Sequence, residues 1–240
     1  MILLEPQFVN EELKIIFGTR EHNVEEQEEE ILEYLSVLSG ETGIKRFILM
    51  QQVHGIDIKE IRRIHLRHYK GISYQIEENT DAIWTEKKNL ALCIKTADCM
   101  PIFVVSGSII AAIHMGWRGA RDKIFERFIR TVLFKRGIKP ETINIICGPH
   151  IRECCYSVKD ELINEFEMNG YNREDIFIRR GKRIFLSLES TLYMQAKNCR
   201  IPSGNIAVAR LCTYCLNSLF YSYRRGESLR NISLIIKGKK

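Results

Sequence analysis

The chain has 240 residues, 45% of them apolar, which is an ordinary composition for a globular protein with a sizeable buried core. Thirty-six Lys and Arg against 30 Asp and Glu leave a formal charge of +6. Outside the terminal "KGKK" no basic block is longer than a few residues, so the excess reads as an enzyme surface rather than a nucleic-acid stripe. No apolar run approaches the roughly twenty residues of a membrane helix, and "MILLEPQF" lacks the basic segment of a secretory signal, so no membrane partner and a cytoplasmic location are expected.

In chain order, "KIIFGT" reads as a strand. Ile31, Leu32, Leu35 and Leu38 recur at helical spacing, which predicts a helix stopped by Gly40, with the acidic run Glu25 to Glu30 in its first turns, where it suits the helix dipole. Strands are then expected at "RFILMQQV", "DIKEI", "DAIWT", "LALCIK", "PIFVVS" and "IIAAIH", with "VVSGSII" turning at Gly107. A second helix over "ARDKIFERFIRTVLFKRG" puts Ile124, Phe125, Phe128, Ile129, Val132 and Leu133 on one face and ends at Gly137. After the strand "INIIC", a third is predicted from Val158 to about Met168, with Ser157 as N-cap, Asp160 at the capping-box position and Gly170 closing it. "IFIR" and "RIFLS" form a hairpin about Gly181, a fourth helix covers Leu188 to Asn198, and "IAVARL" and "ISLII" are the last strands. Helices and hairpins mix without a βαβ rhythm, so the expected class is α+β, with mixed β-sheets flanked by helices in α/β/β/α layers and residues 1–240 forming one domain.

Eight cysteines in a chain this long are read as free thiols or metal ligands, because a large core needs no disulfide staples. Cys93, Cys147 and Cys199 sit on apolar or helical stretches and read as core. Cys154 and Cys155, with Cys212 and Cys215 of "CTYC", have the makings of a four-thiolate zinc site, but with a single C-x-x-C pair buried free cysteines are the expectation. Three other side chains stand where strands end: His54 in "QQVHG", Cys99 in "TADCMPI" and His114 in "IIAAIHMGWRG". Two imidazoles and a thiolate are a zinc donor set that leaves a fourth position open. Their spacing matches no short zinc pattern, so satisfied turn residues remain an alternative, as does a metal-free hydrolase with Cys99 as nucleophile and His114 or His54 as base.

Six segments in fixed order, "QQVHG", "DAIWT", "TADCMPI", "AAIHMGWRG", "GPHIRECCYSV" and "RLCTYCLNSLFYSYRRG", resemble the laccase-domain family, also called polyphenol oxidases and purine nucleoside phosphorylases with adenosine deaminase activity. The likeness runs from Phe17 to Gly226. It implies one zinc on His54, Cys99 and His114, with Asp98 beside it. It also implies phosphorolysis of adenosine, inosine, guanosine and 5′-methylthioadenosine to base and (5-methylthio)ribose 1-phosphate, together with deamination of adenosine. Purine nucleosides and phosphate are therefore the expected partners, and the oligomeric state is left open.

Deamination needs a carboxylate to move protons, and Asp98 is the nearest in sequence; the His-x-Glu signature of cytidine-type deaminases is missing, since Gly116 stands two after His114. Phosphorolysis needs cations for phosphate, for which Arg20 and Arg118 are the candidates ahead of Arg224 and Arg225. Trp117 offers a face for a purine, and His150 follows Pro149 in a loop expected to border the pocket. Three features depart from the family pattern: "REHNV" puts a bulkier loop in place of paired glycines after "TR", which bears against phosphate placement through Arg20, and Met115 and His150 replace small residues, which predicts a narrower pocket. Copper is the alternative metal, as in a polyphenol oxidase. A multicopper laccase needs about ten histidines, and this chain has six. A single blue-copper centre would need Met100 or Met115 as an axial ligand, and side chains adjacent to the ligands on extended backbone point away.

Overall fold

Continuous apolar runs such as "IIAAIHM" suit strands covered on both faces, and this is how they are used. The computed structural model describes residues 2–3, 12–20, 24 and 27–238. Its elements are β1 (Ile2–Leu3), β2 (Leu13–Phe17), α1 (Glu28–Thr42), β3 (Arg46–Met50), β4 (Ile58–Glu60), β5 (Arg67–Tyr69), β6 (Ile72–Glu77), β7 (Ala82–Thr85), β8 (Ala91–Thr96), β9 (Met100–Ser106) and β10 (Ile109–Met115). Then follow α2 (Trp117–Arg121), α3 (Ile124–Phe128), β11 (Asn144–Cys147), β12 (Ser157–Val158), α4 (Glu161–Met168), α5 (Arg173–Ile176), β13 (Phe177–Arg180), β14 (Arg183–Leu186), α6 (Leu188–Asn198), β15 (Ile206–Val208) and β16 (Asn231–Lys237).

A seven-stranded sheet runs β1-β2-β16-β8-β3-β6-β5, a six-stranded sheet β15-β11-β9-β10-β7-β4, and a small sheet β12-β14-β13. Both large sheets are mixed: β3 is parallel to β6 and β8, β4 to β7, and β11 to β15. Between them Phe17, Ile48, Leu92 and Ile235 meet Ile83, Phe103, Ile110 and Ile146. Each such side chain, fully withdrawn from water, contributes about 1.5–3 kcal/mol. The outer face of the seven-stranded sheet packs on α1 through Ile31, Leu35 and Leu38. The outer face of the other packs on Ala120, Phe125, Phe128, Leu192 and Ala196 from the α2, α3 and α6 side. The layering is thus the expected α/β/β/α. No helix among the described residues is long and apolar enough to cross a membrane.

The fourth predicted helix matches α6, whose N-cap Ser187 accepts a hydrogen bond from the Ser190 amide. Others shift. Gly40 lies inside α1, which stops at Gly43, where φ of 75° suits glycine and the amide donates back to Ser39. The second predicted helix is broken at Lys123, which takes a left-handed φ of 59°, into α2 and α3, and α3 runs on into a π-type turn, Ile129–Leu133. The third starts later than predicted, because Ser157 and Val158 pair with β14; Asp160 is its N-cap and makes no side-chain cap. Glu25 and Glu26 of the acidic run lie outside the described residues.

What the architecture does for function is to gather strand ends. The ends of β3, β8 and β10 and the starts of β7 and β9 share one rim.

Candidate metal centre

His54, Cys99 and His114 meet at that rim, with their donor atoms all within 4.8 Å of one another. They come from different parts of the sandwich. His54 follows β3 of the seven-stranded sheet, His114 lies in β10 of the six-stranded sheet, and Cys99 sits where the chain crosses from β8 to β9. Two residues here carry left-handed backbone: His54 with φ of 60° and Asp98 with φ of 89°. Such conformations cost energy in a non-glycine residue and persist only where the surroundings hold them.

The holding groups are two carboxylates. Asp81, which is fully buried, accepts the amides of Val53 (3.2 Å), His54 (3.0 Å) and Gly55 (2.7 Å), and accepts His114 Nδ1 at 2.7 Å. One side chain thus fixes the loop of one candidate ligand and the ring of another, leaving Nε2 of His114 for the centre. Asp98 accepts Thr213 Oγ1 (2.7 Å) on one oxygen, and Ser222 Oγ (3.0 Å) and the Arg224 amide (2.7 Å) on the other. It ties two distant loops to the residue beside Cys99.

Burial by itself would push the Cys99 thiol up, but the His114 charge and hydrogen bonds from His114 and His54 overcome it and draw the thiol down to about 6. Burial would likewise lower His114; the Cys99 charge and the Asp81 hydrogen bond raise it to about 9. The Asp81 carboxyl stays below its usual range, since His114 and the loop amides outweigh its burial. A thiolate beside two imidazoles, one of them oriented by a buried carboxylate, is a donor set that fits zinc. His54 is exposed, Cys99 half-buried and His114 buried, so the centre opens on one side. Gly116 gives that sulfur its room: a Cβ there would stand 2.8 Å from Cys99 Sγ and 3.3 Å from His54 Cδ2.

The opening leads to a cleft of about 450 Å³ whose walls include Lys95, Trp117, Arg118, Tyr156, Arg224 and Arg230. Arg118 stacks on Trp117 at 4.3 Å and makes no ion pair with the described residues. Trp117 therefore serves as a platform for arginine as well as a wall. Arg224 donates to the Ser157 carbonyl at 2.6 Å and lies over Tyr156. Burial and the Cys99 charge raise the Tyr156 phenol, which stays protonated at neutral pH.

Several expected residues lie elsewhere. Arg20 is not among the residues lining the cleft; it pairs with Glu227 at 2.6 Å, donates to the Asn217 carbonyl and lies over Tyr221. Glu21, His22 and Asn23 of "REHNV" lie outside the described residues. His150 is fully buried, donates through Nδ1 to the Gly148 carbonyl, and is lowered by burial to about 4, so it is a neutral interior imidazole rather than a cleft residue. Met115 is buried with its sulfur beside Gln195, and neither it nor Met100 lines the cleft, so Met115 does not narrow it and an axial copper ligand is not supplied. Sequence reasoning missed Asp81 and Tyr156. An acid heading the apolar strand "DAIWT" was the available signal for the first, and a place inside the family-like segment "GPHIRECCYSV" for the second.

The chain belongs to the family described as multi-copper polyphenol oxidoreductase laccase, an enzyme family whose model matches residues 17–237. It is 35% identical over 163 residues to Purine nucleoside phosphorylase CA_C1699 of Clostridium acetobutylicum, covering 65% of this chain and 66% of that protein. It is 28% identical over 152 residues to Adenosine deaminase RL5 from an unknown prokaryotic organism, covering 62% of this chain and 58% of that protein. Its fold matches the crystal structure of the Bacillus licheniformis hypothetical protein YfiH with a TM-score of 0.79 at 24% identity, over 93% of this chain and 92% of that one.

Proposed function

We propose that this chain is a zinc-dependent purine nucleoside phosphorylase that converts adenosine, inosine, guanosine or 5′-methylthioadenosine and phosphate to free purine and the ribose 1-phosphate, with adenosine deamination as a second activity. The observation that carries this reading is the charge of the cleft. Lys95, Arg118, Arg224 and Arg230 line it beside the three candidate ligands, and Asp98, the one carboxylate among the described lining residues, already accepts three hydrogen bonds. Phosphate calls for such a wall; a neutral phenol does not. The names of the two relatives point the same way.

In phosphorolysis a phosphate oxygen attacks C1′ while the bond to the purine nitrogen breaks, and the purine leaves with the electron pair and takes up a proton. Arg118, which pairs with no carboxylate among the described residues, is placed to hold phosphate by two points. The protonated Tyr156 phenol is an O–H donor on the same wall. His54, Cys99 and His114 would hold zinc, which when bound supplies a Lewis acid at the floor of the cleft. Asp98, with its oxygens occupied, acts as a positioning residue in place of the proton carrier suggested by its neighbour in sequence.

The test is incubation of zinc-loaded protein with adenosine, with and without phosphate, beside a Cys99→Ala variant. Adenine formed only with phosphate, and reduced more than about a hundredfold in the variant, is expected. Inosine formed without phosphate would make deamination the principal reaction, and no product under either condition would sink the proposal. For Arg118→Ala we expect the KM for phosphate to rise about tenfold or more, as for loss of a charge-assisted hydrogen bond, with metal content unchanged. An unchanged KM would remove Arg118 from phosphate binding.

A second reading rests on one observation: Cys99, His114 and Asp81 also stand as nucleophile, base and orienting acid, as in a cysteine hydrolase. Alkylation of Cys99 regardless of zinc loading would favour it, and protection by zinc would argue against it. Copper-loaded protein lacking an intense blue thiolate band would likewise set aside a blue-copper centre.

A further inference from the structure

Four more sulfurs converge outside the cleft. Cys154 and Cys155 sit on the turn before β12, and Cys212 and Cys215 on the turn after β15, some 61 residues away in sequence. All four Sγ atoms lie within 4.8 Å of one another, with Cys154 to Cys215 at 3.7 Å and Cys155 to Cys215 at 3.2 Å. The expectation of buried free thiols fails here: Cys154 and Cys215 are exposed, Cys155 is half-buried, and only Cys212 is buried. Apolar packing therefore does not explain the convergence. A tetrahedral zinc ion with Zn–S bonds of about 2.3 Å spaces its sulfurs roughly 3.8 Å apart, which is the scale of this cluster.

A second observation concerns the backbone. The Leu216 amide donates to the Cys212 carbonyl (3.0 Å) and the Thr213 amide to the His150 carbonyl (3.1 Å), so the C-x-x-C turn is closed on itself and tied to the segment that leads to Cys154 and Cys155. Cations frame the cluster as well: Arg225 donates to the Thr213 and Tyr214 carbonyls (2.5 and 2.7 Å), and the Arg152 guanidinium donates to the Arg210 carbonyl on the facing segment.

The geometry points to a second metal site, in which Cys154, Cys155, Cys212 and Cys215 hold one zinc ion as four thiolates. On binding, four S–H groups lose their protons to solvent and four Zn–S bonds form, leaving a net charge of −2 beside Arg152 and Arg225. With four protein ligands and no open position, the site is structural. Its placement gives it a task. Thr213, inside the C-x-x-C turn, donates to Asp98 at 2.7 Å; Tyr156, next to Cys155, lines the cleft; and the two segments pair at His150 and Cys212. The ion joins the turns that carry these two parts of the cleft.

Metal analysis of the purified protein tests this without any variant. Two zinc equivalents per chain are expected, one of them released only as a mercurial titrates the cysteine cluster. Cys99→Ala and Cys212→Ser are each expected to retain one equivalent, so failure of the cleft site and failure of the cluster are told apart. Cobalt-substituted Cys99→Ala protein should show thiolate-to-metal charge transfer and strong tetrahedral bands. A single equivalent in the wild type that Cys99→Ala abolishes, or a Cys155–Cys215 disulfide found in non-reduced peptides, would overturn the inference.

Discussion

Asp81→Ala is expected to strip the cleft of its metal affinity and to lower stability by about 2–4 kcal/mol, although residue 81 touches no substrate. The carboxylate accepts four donors, from Val53, His54, Gly55 and His114. The three loop amides can turn to water once it is gone, because that loop is at the surface, so each loses only the net worth of a hydrogen bond. His114 Nδ1, at 3% exposure, has no such recourse and carries the larger share. His54 also loses what holds its φ of 60°, and the loop relaxes away from the sulfur. Zinc affinity should fall by more than the tenfold to hundredfold, roughly, that follows loss of one supporting partner, because here one side chain supports two ligands. Competition against a chromophoric chelator, together with denaturant unfolding, measures both quantities. Wild-type affinity in a folded Asp81→Ala protein would mean that the ligands are held by something else.

Gly116→Ala should separate the metal from the fold. Gly116 has φ of −83° and ψ of −176°, a backbone any residue adopts, so alanine carries no conformational penalty there. The added methyl would stand 2.8 Å from Cys99 Sγ, and the backbone cannot easily retreat, since the Gly116 carbonyl accepts the Ala120 amide at 2.8 Å and opens α2. The sulfur must yield by several tenths of an ångström, more than the roughly 0.2 Å that metal–ligand distances tolerate. We expect at least about a tenfold loss of zinc affinity with a stability change near 1 kcal/mol or less. Gly148→Ala supplies the contrast: its Cβ would stand 2.8 Å from Pro101 and collide with the edge of the Phe17 ring, which lies in the core between the sheets, so that variant should lose stability first. If Gly116→Ala bound zinc like the wild type, the close approach of Gly116 to the ligands would have no consequence for the centre.

Much of the architecture was legible because most strands are apolar along their length. "IIAAIHM" and "MPIFVVS" are buried almost throughout and could be little else between turn residues. The hairpin of β5 and β6 went unread, although Ile72, Tyr74 and Ile76 alternate with Ser73, Gln75 and Glu77, because its charged neighbours masked a period of two. The convergence of His54, Cys99 and His114 was legible as donor types at strand ends, joined by their likeness to a family. Their supports were less so. Asp81 looks like any acid that opens a strand, and only the fold shows that it faces a loop 26 to 28 residues earlier and a ring 33 residues later. Arg20 and His150 failed for a related reason: next to a motif in sequence is not next to it in space, and each satisfies its own neighbours instead. The four-cysteine cluster was discounted because half of its spacing lies in a vicinal pair, a pattern that only a second turn opposite it can complete.

The three candidate ligands also divide between the layers. One hangs from the seven-stranded sheet, one from the six-stranded sheet, and one from the strap of chain that crosses between them. An ion held by these three would be a rivet through both sheets at their open rim, so the freedom of the two layers to slide over their shared core would be set by the same bonds that shape the floor of the cleft.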